Sequence, residues 1–220
     1  MLKRNIYFIR HGETILNAAK IRQGESGGLS EVGKEQVRSA AERIKLFNIK
    51  KVFCSPFQRA AETCEIINEV LDVRHLEYTP LLAERKNPTK IIGLSYLDPI
   101  TIEAINFMDK SYHDEDARWD DEENFRDMKK RALKLMDFLS KNSSDKTLCV
   151  THGIFLKMFL CVLIYGEHLT VEQYIKLSVF NPANNAGITV VEYNPFHFFS
   201  NPWKIVAYND TPLSPKSLAI

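Results

Sequence analysis

Short apolar runs alternate along the chain with segments in which apolar residues recur every three or four positions. The first run is Ile6-Tyr7-Phe8-Ile9, and others rich in β-branched and aromatic residues fall at 51–54, 147–151, 188–193 and 203–208. Each has the length and composition of a strand. Between them, residues 31–47 place Val37, Ala40, Ala41, Ile44 and Phe47 on one helical face, with Ser30 positioned to cap the first turn. A second helix is predicted over 59–71. A third is predicted over 125–140, where Phe125, Met128, Ala132, Leu135, Met136 and Leu139 keep the period. The run "IFLKMFLCVLIY" at 154–165 reads as a buried helix. Lys157 interrupts it, and it falls short of the roughly 20 residues that cross a bilayer.

Strands alternating with helices of this length predict an α/β fold, a three-layer α/β/α sandwich around a mostly parallel sheet. Residues 85–124 break the rhythm with Pro88, Pro99 and the acidic run "DEDARWDDEEN" at 114–124. They are expected to form a small cap over one end of the sheet, inside a single domain that takes in residues 1–220. The acidic run lacks the glycine and ligand spacing of a calcium loop and is read as a solvated face.

Composition removes several classes of function. With 220 residues and a formal net charge of +1, the chain offers no broad electrostatic footprint for nucleic acid or an anionic membrane. Any anion binding must be local. The basic start "MLKRNIYFIRHGE" has four apolar residues before the next charge, too few for a signal-peptide core. Cys54, Cys64, Cys149 and Cys161 form no C-x-x-C pair and sit in apolar surroundings. They are read as buried free thiols of a reducing, cytoplasmic compartment, not as a zinc site, and no metal or other cofactor is expected. His75, His113, His168 and His197 have no partners at recognisable spacing. No stripe or heptad marks a subunit interface, so a homodimer stays open.

The candidate chemistry sits at strand ends. In an open α/β sheet, ligands bind beyond the carboxyl ends of the strands. The first strand runs into Arg10-His11-Gly12, the second into "SPFQR" with Arg59 about one helical turn on, and the third into His152-Gly153. If these strands are parallel neighbours, two histidines and two arginines converge in one cleft. Guanidinium forks grip phosphoryl oxygens bidentately. A neutral imidazole is a competent nucleophile towards phosphorus, and a second histidine stabilises charge on the equatorial oxygens. Glycines after each histidine are expected to let the backbone approach the ligand.

With "RHGET" and Asn17, then "GLSEVGKEQ", "SPFQRAAET" and "THG" in this order, the chain resembles the histidine phosphatase superfamily, the phosphoglycerate-mutase-like proteins. The resemblance implies that His11 is a nucleophile forming a phosphohistidine, and that Arg10, Arg59 and His152 complete the phosphate pocket. It implies Asn17 and the backbone of Gly153 as further ligand contacts, Gln23-Gly24 as a substrate-touching loop, and Glu84 in "PLLAERK" as the proton donor. A carboxyl group there suits a leaving oxygen that needs a proton.

The chain departs from the family after Glu84. The arginine-histidine-tyrosine-glycine stretch of the mutases is replaced by "RKNPTKIIGLSY", and the glycine-x-tryptophan-glutamate pattern of many phosphatases is also missing. Glu123 in "DEENF" stands where members carry Gly-Glu-Ser. The resemblance implies a phosphomonoesterase acting on a small phosphorylated metabolite. The alternatives are a phosphoglycerate mutase, or a phospho-ligand-binding module with little turnover.

Overall fold

The computed structural model describes residues 3–111, 114–180, 183–196 and 201–211. His113 and His197 lie outside them. The elements run in the order β1 (Arg4–Arg10), α1 (Ile15–Ala18), α2 (Glu31–Lys45), β2 (Lys51–Cys54), α3 (Gln58–Leu71), β3 (Leu76–Tyr78), α4 (Pro99–Lys110), α5 (Phe125–Asn142), β4 (Thr147–Thr151), α6 (Gly153–Tyr165), α7 (Val171–Phe180), β5 (Ile188–Tyr193) and β6 (Trp203–Asp210). They build one six-stranded sheet in the order β3-β2-β4-β1-β5-β6. The pairings β1·β4, β2·β4 and β2·β3 are parallel, whereas β1·β5 and β5·β6 are antiparallel.

Both sheet faces are covered, which is why β1 is apolar without alternation. Ile6 and Phe8 pack with Phe53, Cys149, Leu135 and Phe159 on the side of α5 and α6. Tyr7 and Ile9 point the other way, onto Val37, Ala40, Ala41 and Ile44 of α2 and Ala60, Cys64 and Ile67 of α3. Burying a side chain such as Phe8 or Phe159 completely is worth about 1.5–3 kcal/mol, and both are fully buried. Two such clusters, one on each face, give the three layers. The cysteines Cys54, Cys64, Cys149 and Cys161 are all buried and unpaired within them.

Helix starts follow local chemistry. The Ser30 hydroxyl accepts the amide of Gly33 at 3.0 Å and so caps α2. Pro99, read in the sequence as a break, instead opens α4. Asp98 caps that helix at 2.9 Å from the Ile100 amide, and proline at the first helical position forfeits no hydrogen bond. The acidic run is likewise more than a solvated face. Asp121 accepts from the backbone and hydroxyl of Thr89 at 2.7 Å each and pairs with Lys86 at 2.8 Å, while Glu122 is buried. The carboxylates therefore tie the 86–89 stretch to the start of α5.

The loop leaving β1 lies directly on the first turn of α2. A Cβ at Gly12 would collide with the Gly33 carbonyl, and one at Gly33 would collide with the backbone of Glu13. The glycine after His11 thus serves close packing of two backbones rather than approach of a ligand, a correction to the reading from sequence. The second glycine, Gly153, faces a side chain: a Cβ there would press on the Arg10 guanidinium at 3.2–3.4 Å.

Candidate active site

The carboxyl ends of β1, β4 and β2 lie side by side, with Arg10 in register with Thr151 and Cys54 in register with Val150. The ladder continues one residue further on each outer strand. The His11 amide donates to the Thr151 carbonyl, and the Ser55 amide to the Val150 carbonyl, both at 3.0 Å. His11 and His152 are brought to a ring-centroid separation of 5.0 Å. Arg10 closes β1, and Arg59, the second residue of α3, is buried beside them.

Each imidazole has one nitrogen committed. Nδ1 of His11 lies 2.7 Å from the Gly12 carbonyl, which only a protonated nitrogen can satisfy. Nε2 therefore keeps its lone pair. Nε2 of His152 lies 2.7 Å from the Ser55 hydroxyl, and that hydroxyl already accepts the Phe57 amide at 3.3 Å. Nε2 is the one acceptor that the buried Ser55 hydroxyl has among the described residues, so Ser55 directs its proton there and Nδ1 of His152 carries hydrogen. That Nδ1 is sealed from solvent and has no partner among the described residues, and the same holds for Nε of Arg10. The remaining contacts fix the guanidiniums: Arg10 donates to the Ala183 carbonyl, and Arg59 to the Gly24 carbonyl at 2.8 Å. Two buried donors without acceptors beside a lone pair make a site shaped for an anion carrying an electrophilic centre.

Burial pushes the His11 imidazole well below the ordinary histidine range, with Arg59 and Arg10 acting in the same direction and the Gly12 carbonyl opposing them. Burial, then His11 and the arginines Arg59, Arg10 and Arg131, do the same to His152. Both rings are neutral at neutral pH. The unfolded chain binds a proton on each histidine near pH 6.5, where the folded chain does not. The stability conferred is therefore complete above about pH 6.5 and is lost as pH falls below it. Each ring contributes a slope of up to about 1.4 kcal/mol per pH unit. The unfolding free energy in urea should fall between about pH 7.5 and about pH 5.5, and His11→Gln should make that fall shallower. A flat wild-type profile over this range would contradict the assignment.

Glu84 follows the turn at Pro80–Leu82, which the Thr151 hydroxyl holds through the Leu82 carbonyl at 2.8 Å. Its carboxylate sits on the N-terminus of α6. Oε1 accepts from the amides of Phe155 and Arg85 at 2.9 Å each, and Oε2 from Ile154 at 3.2 Å. Arg131 of α5 braces the same turn, donating to the Ala83 carbonyl at 2.7 Å and to the Glu84 carbonyl at 3.4 Å. Glu123 grips the Arg131 guanidinium with both oxygens, at 2.7 and 2.6 Å, and Arg131 lies 3.8 Å over the Phe155 ring. Glu123 thus reaches the site through Arg131.

Arg10, His11, Asn17, Gln23, Arg59, Glu84 and Gly153 line one cavity of about 320 Å³. His152, fully buried, packs against His11. Gly24 lines an adjoining cavity of about 630 Å³, which shares Gln23, Glu84 and Asn87 with the first. Gln23 accepts the Thr14 hydroxyl at 2.9 Å, and Oδ1 of Asn17 is buried without a partner among the described residues. Sequence reasoning missed Ser55, Arg22, Asn87, Tyr96 and the role of Lys157, all but Ser55 lining the smaller cavity. Only Lys157 left a signal: a lone cation in an otherwise apolar helix needs somewhere polar to point.

A family model for the histidine phosphatase superfamily (branch 1) matches residues 6–211. The chain belongs to that superfamily. The probable phosphoglycerate mutase GpmB of Erwinia tasmaniensis is 26% identical over 215 residues, covering 93% of this chain and 92% of its own. Among solved structures, mycobacterial glucosyl-3-phosphoglycerate phosphatase aligns with a TM-score of 0.76 at 21% identity, over 95% of this chain and 100% of that one. Phosphoserine phosphatase from Entamoeba histolytica aligns with a TM-score of 0.69 at 21% identity, over 94% of this chain and 96% of that one. These two share the fold.

Proposed function

We propose that the chain is a phosphomonoesterase that works through a phosphohistidine on His11. The observation that carries this reading is the tautomer of His11: Nδ1 is tied to the Gly12 carbonyl, and Nε2 keeps a lone pair at a cavity walled by Arg10 and Arg59. In this reading Glu84 enters the step as the carboxylic acid: Nε2 attacks phosphorus, the ester P–O bond breaks, and Glu84 gives its proton to the departing oxygen and becomes the carboxylate. Arg10, Arg59 and Nδ1–H of His152 hold the equatorial oxygens. Water then attacks the phosphohistidine, Glu84 takes its proton, and inorganic phosphate leaves. Every proton and charge is accommodated by the side chains named, so the reaction should not depend on a metal.

A cavity of about 320 Å³ suits a small phosphorylated metabolite. A sheet whose strands run from Arg4 to Asp210 supports one domain with residues 85–124 as its cap. Four buried free thiols support a cytoplasmic setting.

A phosphoglycerate mutase is the second reading, favoured by the 26% identity to GpmB. There the phosphoryl group returns from His11 to substrate instead of passing to water. Release of inorganic phosphate in the presence of EDTA, assayed beside interconversion of 2- and 3-phosphoglycerate with a bisphosphate primer, separates the two. The phosphatase reading expects release without interconversion. Primer-dependent interconversion with little release would overturn it.

A further inference from the structure

Arg22 is a cation on the wall of the same cavity that the phosphoryl chemistry leaves unused. Its guanidinium lies 4.4 Å over the Tyr96 ring, and its Nε is sealed from solvent with no partner among the described residues. The position is built rather than incidental. The Arg22 amide donates to the Leu94 carbonyl and the Gly93 amide to the Arg22 carbonyl, both at 2.9 Å. The Tyr96 amide donates to the Lys20 carbonyl at 2.9 Å, and Ile21 and Ser95 form an antiparallel bridge. Residues 20–22 and 93–96 thus make a clip that holds Arg22 and Tyr96 together.

The charges around the cavity divide unevenly. Glu84 acts on Arg10, Arg59 and Lys157, so those cations share one carboxylate. Arg85, behind the clip, has the buried Glu122 within 4.0 Å. Among the described residues, the ionisable groups whose charge reaches Arg22 are Tyr96 and Arg85, and neither is a carboxylate. A half-buried guanidinium with a desolvated, unpaired N–H and a second cation nearby is costly to keep unless a ligand supplies the anion. Stacking on Tyr96 fixes the guanidinium plane, which suits bidentate capture of a carboxylate or phosphoryl group.

We propose that the substrate is a phosphomonoester bearing a second anionic group, carboxylate or phosphoryl, and that Arg22 receives this group while Arg10, Arg59 and His11 engage the transferred phosphoryl. The inference rests on the phosphatase reading and adds the substrate class. The shared chemistry is an oxyanion at the far end of a small molecule. Arg22 is a specificity residue here, remote from the reacting atoms.

The test is phosphate release from two matched pairs. 3-Phosphoglycerate against glycerol 3-phosphate adds a carboxylate, and propane-1,3-diol bisphosphate against its monophosphate adds a phosphoryl group. Wild-type kcat/KM should favour the member with the extra anion by about 10- to 100-fold in at least one pair, the pair showing which anion is meant. Arg22→Gln should bring that ratio towards one through KM, and Arg22→Lys should restore part of it. A role confined to holding the clip would lower both members of a pair alike. Equal wild-type rates within both pairs, or a preference that survives intact in Arg22→Gln, would overturn the inference and leave the phosphatase reading standing. Release from none of the four, or equal release by His11→Ala, would overturn that reading and this inference with it.

Discussion

His11→Ala should abolish turnover of phosphomonoesters, with a fall in kcat of at least about 10⁴-fold. The effect is this large because, among the described residues, no other imidazole is free to take over the attack. His152, the nearest imidazole, has its Nε2 engaged by Ser55 at 2.7 Å, and its Nδ1 is left as a donor rather than a nucleophile. The variant keeps Arg10 and Arg59, whose positions depend on the Ala183 and Gly24 carbonyls and not on the ring. It should therefore still bind inorganic phosphate or vanadate. Retained binding with lost turnover distinguishes a missing nucleophile from a collapsed site. Undiminished activity in a folded His11→Ala protein would sink the proposed mechanism.

Glu84→Gln should show a smaller, conditional loss. On alkyl phosphates the leaving alkoxide is a strong base and needs a proton, so kcat should drop by about 10²–10⁴-fold. On p-nitrophenyl phosphate the leaving phenolate departs unassisted, and formation of the phosphoenzyme should be far less affected. Glutamine keeps an oxygen to accept the Phe155 amide, which Glu84 accepts at 2.9 Å, so the turn should stay in place. A burst of p-nitrophenol followed by slow hydrolysis would show both roles of the carboxyl group at once. Equal losses on the two kinds of ester would mean that Glu84 positions rather than protonates.

Much of the architecture was legible because burial on both sheet faces leaves an unbroken apolar run such as Ile6–Ile9. The convergence of Arg10, His11, Arg59 and His152 followed from strand direction alone, once β1, β4 and β2 proved to be parallel neighbours. Elements that depend on tertiary context were harder. β3 is three residues long at a sheet edge, with Leu76 and Tyr78 exposed, so it has neither length nor period to betray it. The helix α7 carries β-branched Val171, Ile175 and Val179, which argue weakly against a helix in isolation.

The distal part of the cavity was illegible for a different reason. Arg22 and Tyr96 come together only because residues 20–22 pair with 93–96, a contact that no local pattern announces. The acidic run read as solvated because Lys86 and Thr89, the partners of Asp121, lie 35 and 32 residues away in sequence. Gly12 was legible as important, but its reason was not, since the Gly33 backbone that it meets is also distant in the chain.

The most direct test of the account is to trap the phosphoenzyme. Wild-type protein mixed with labelled phosphomonoester and quenched in base within one turnover should carry a phosphoryl group that is lost in acid. Peptide mapping should place it on His11, and His11→Ala should carry none. Turnover without any phosphoenzyme, or a phosphoryl group on a residue other than His11, would contradict the central claim.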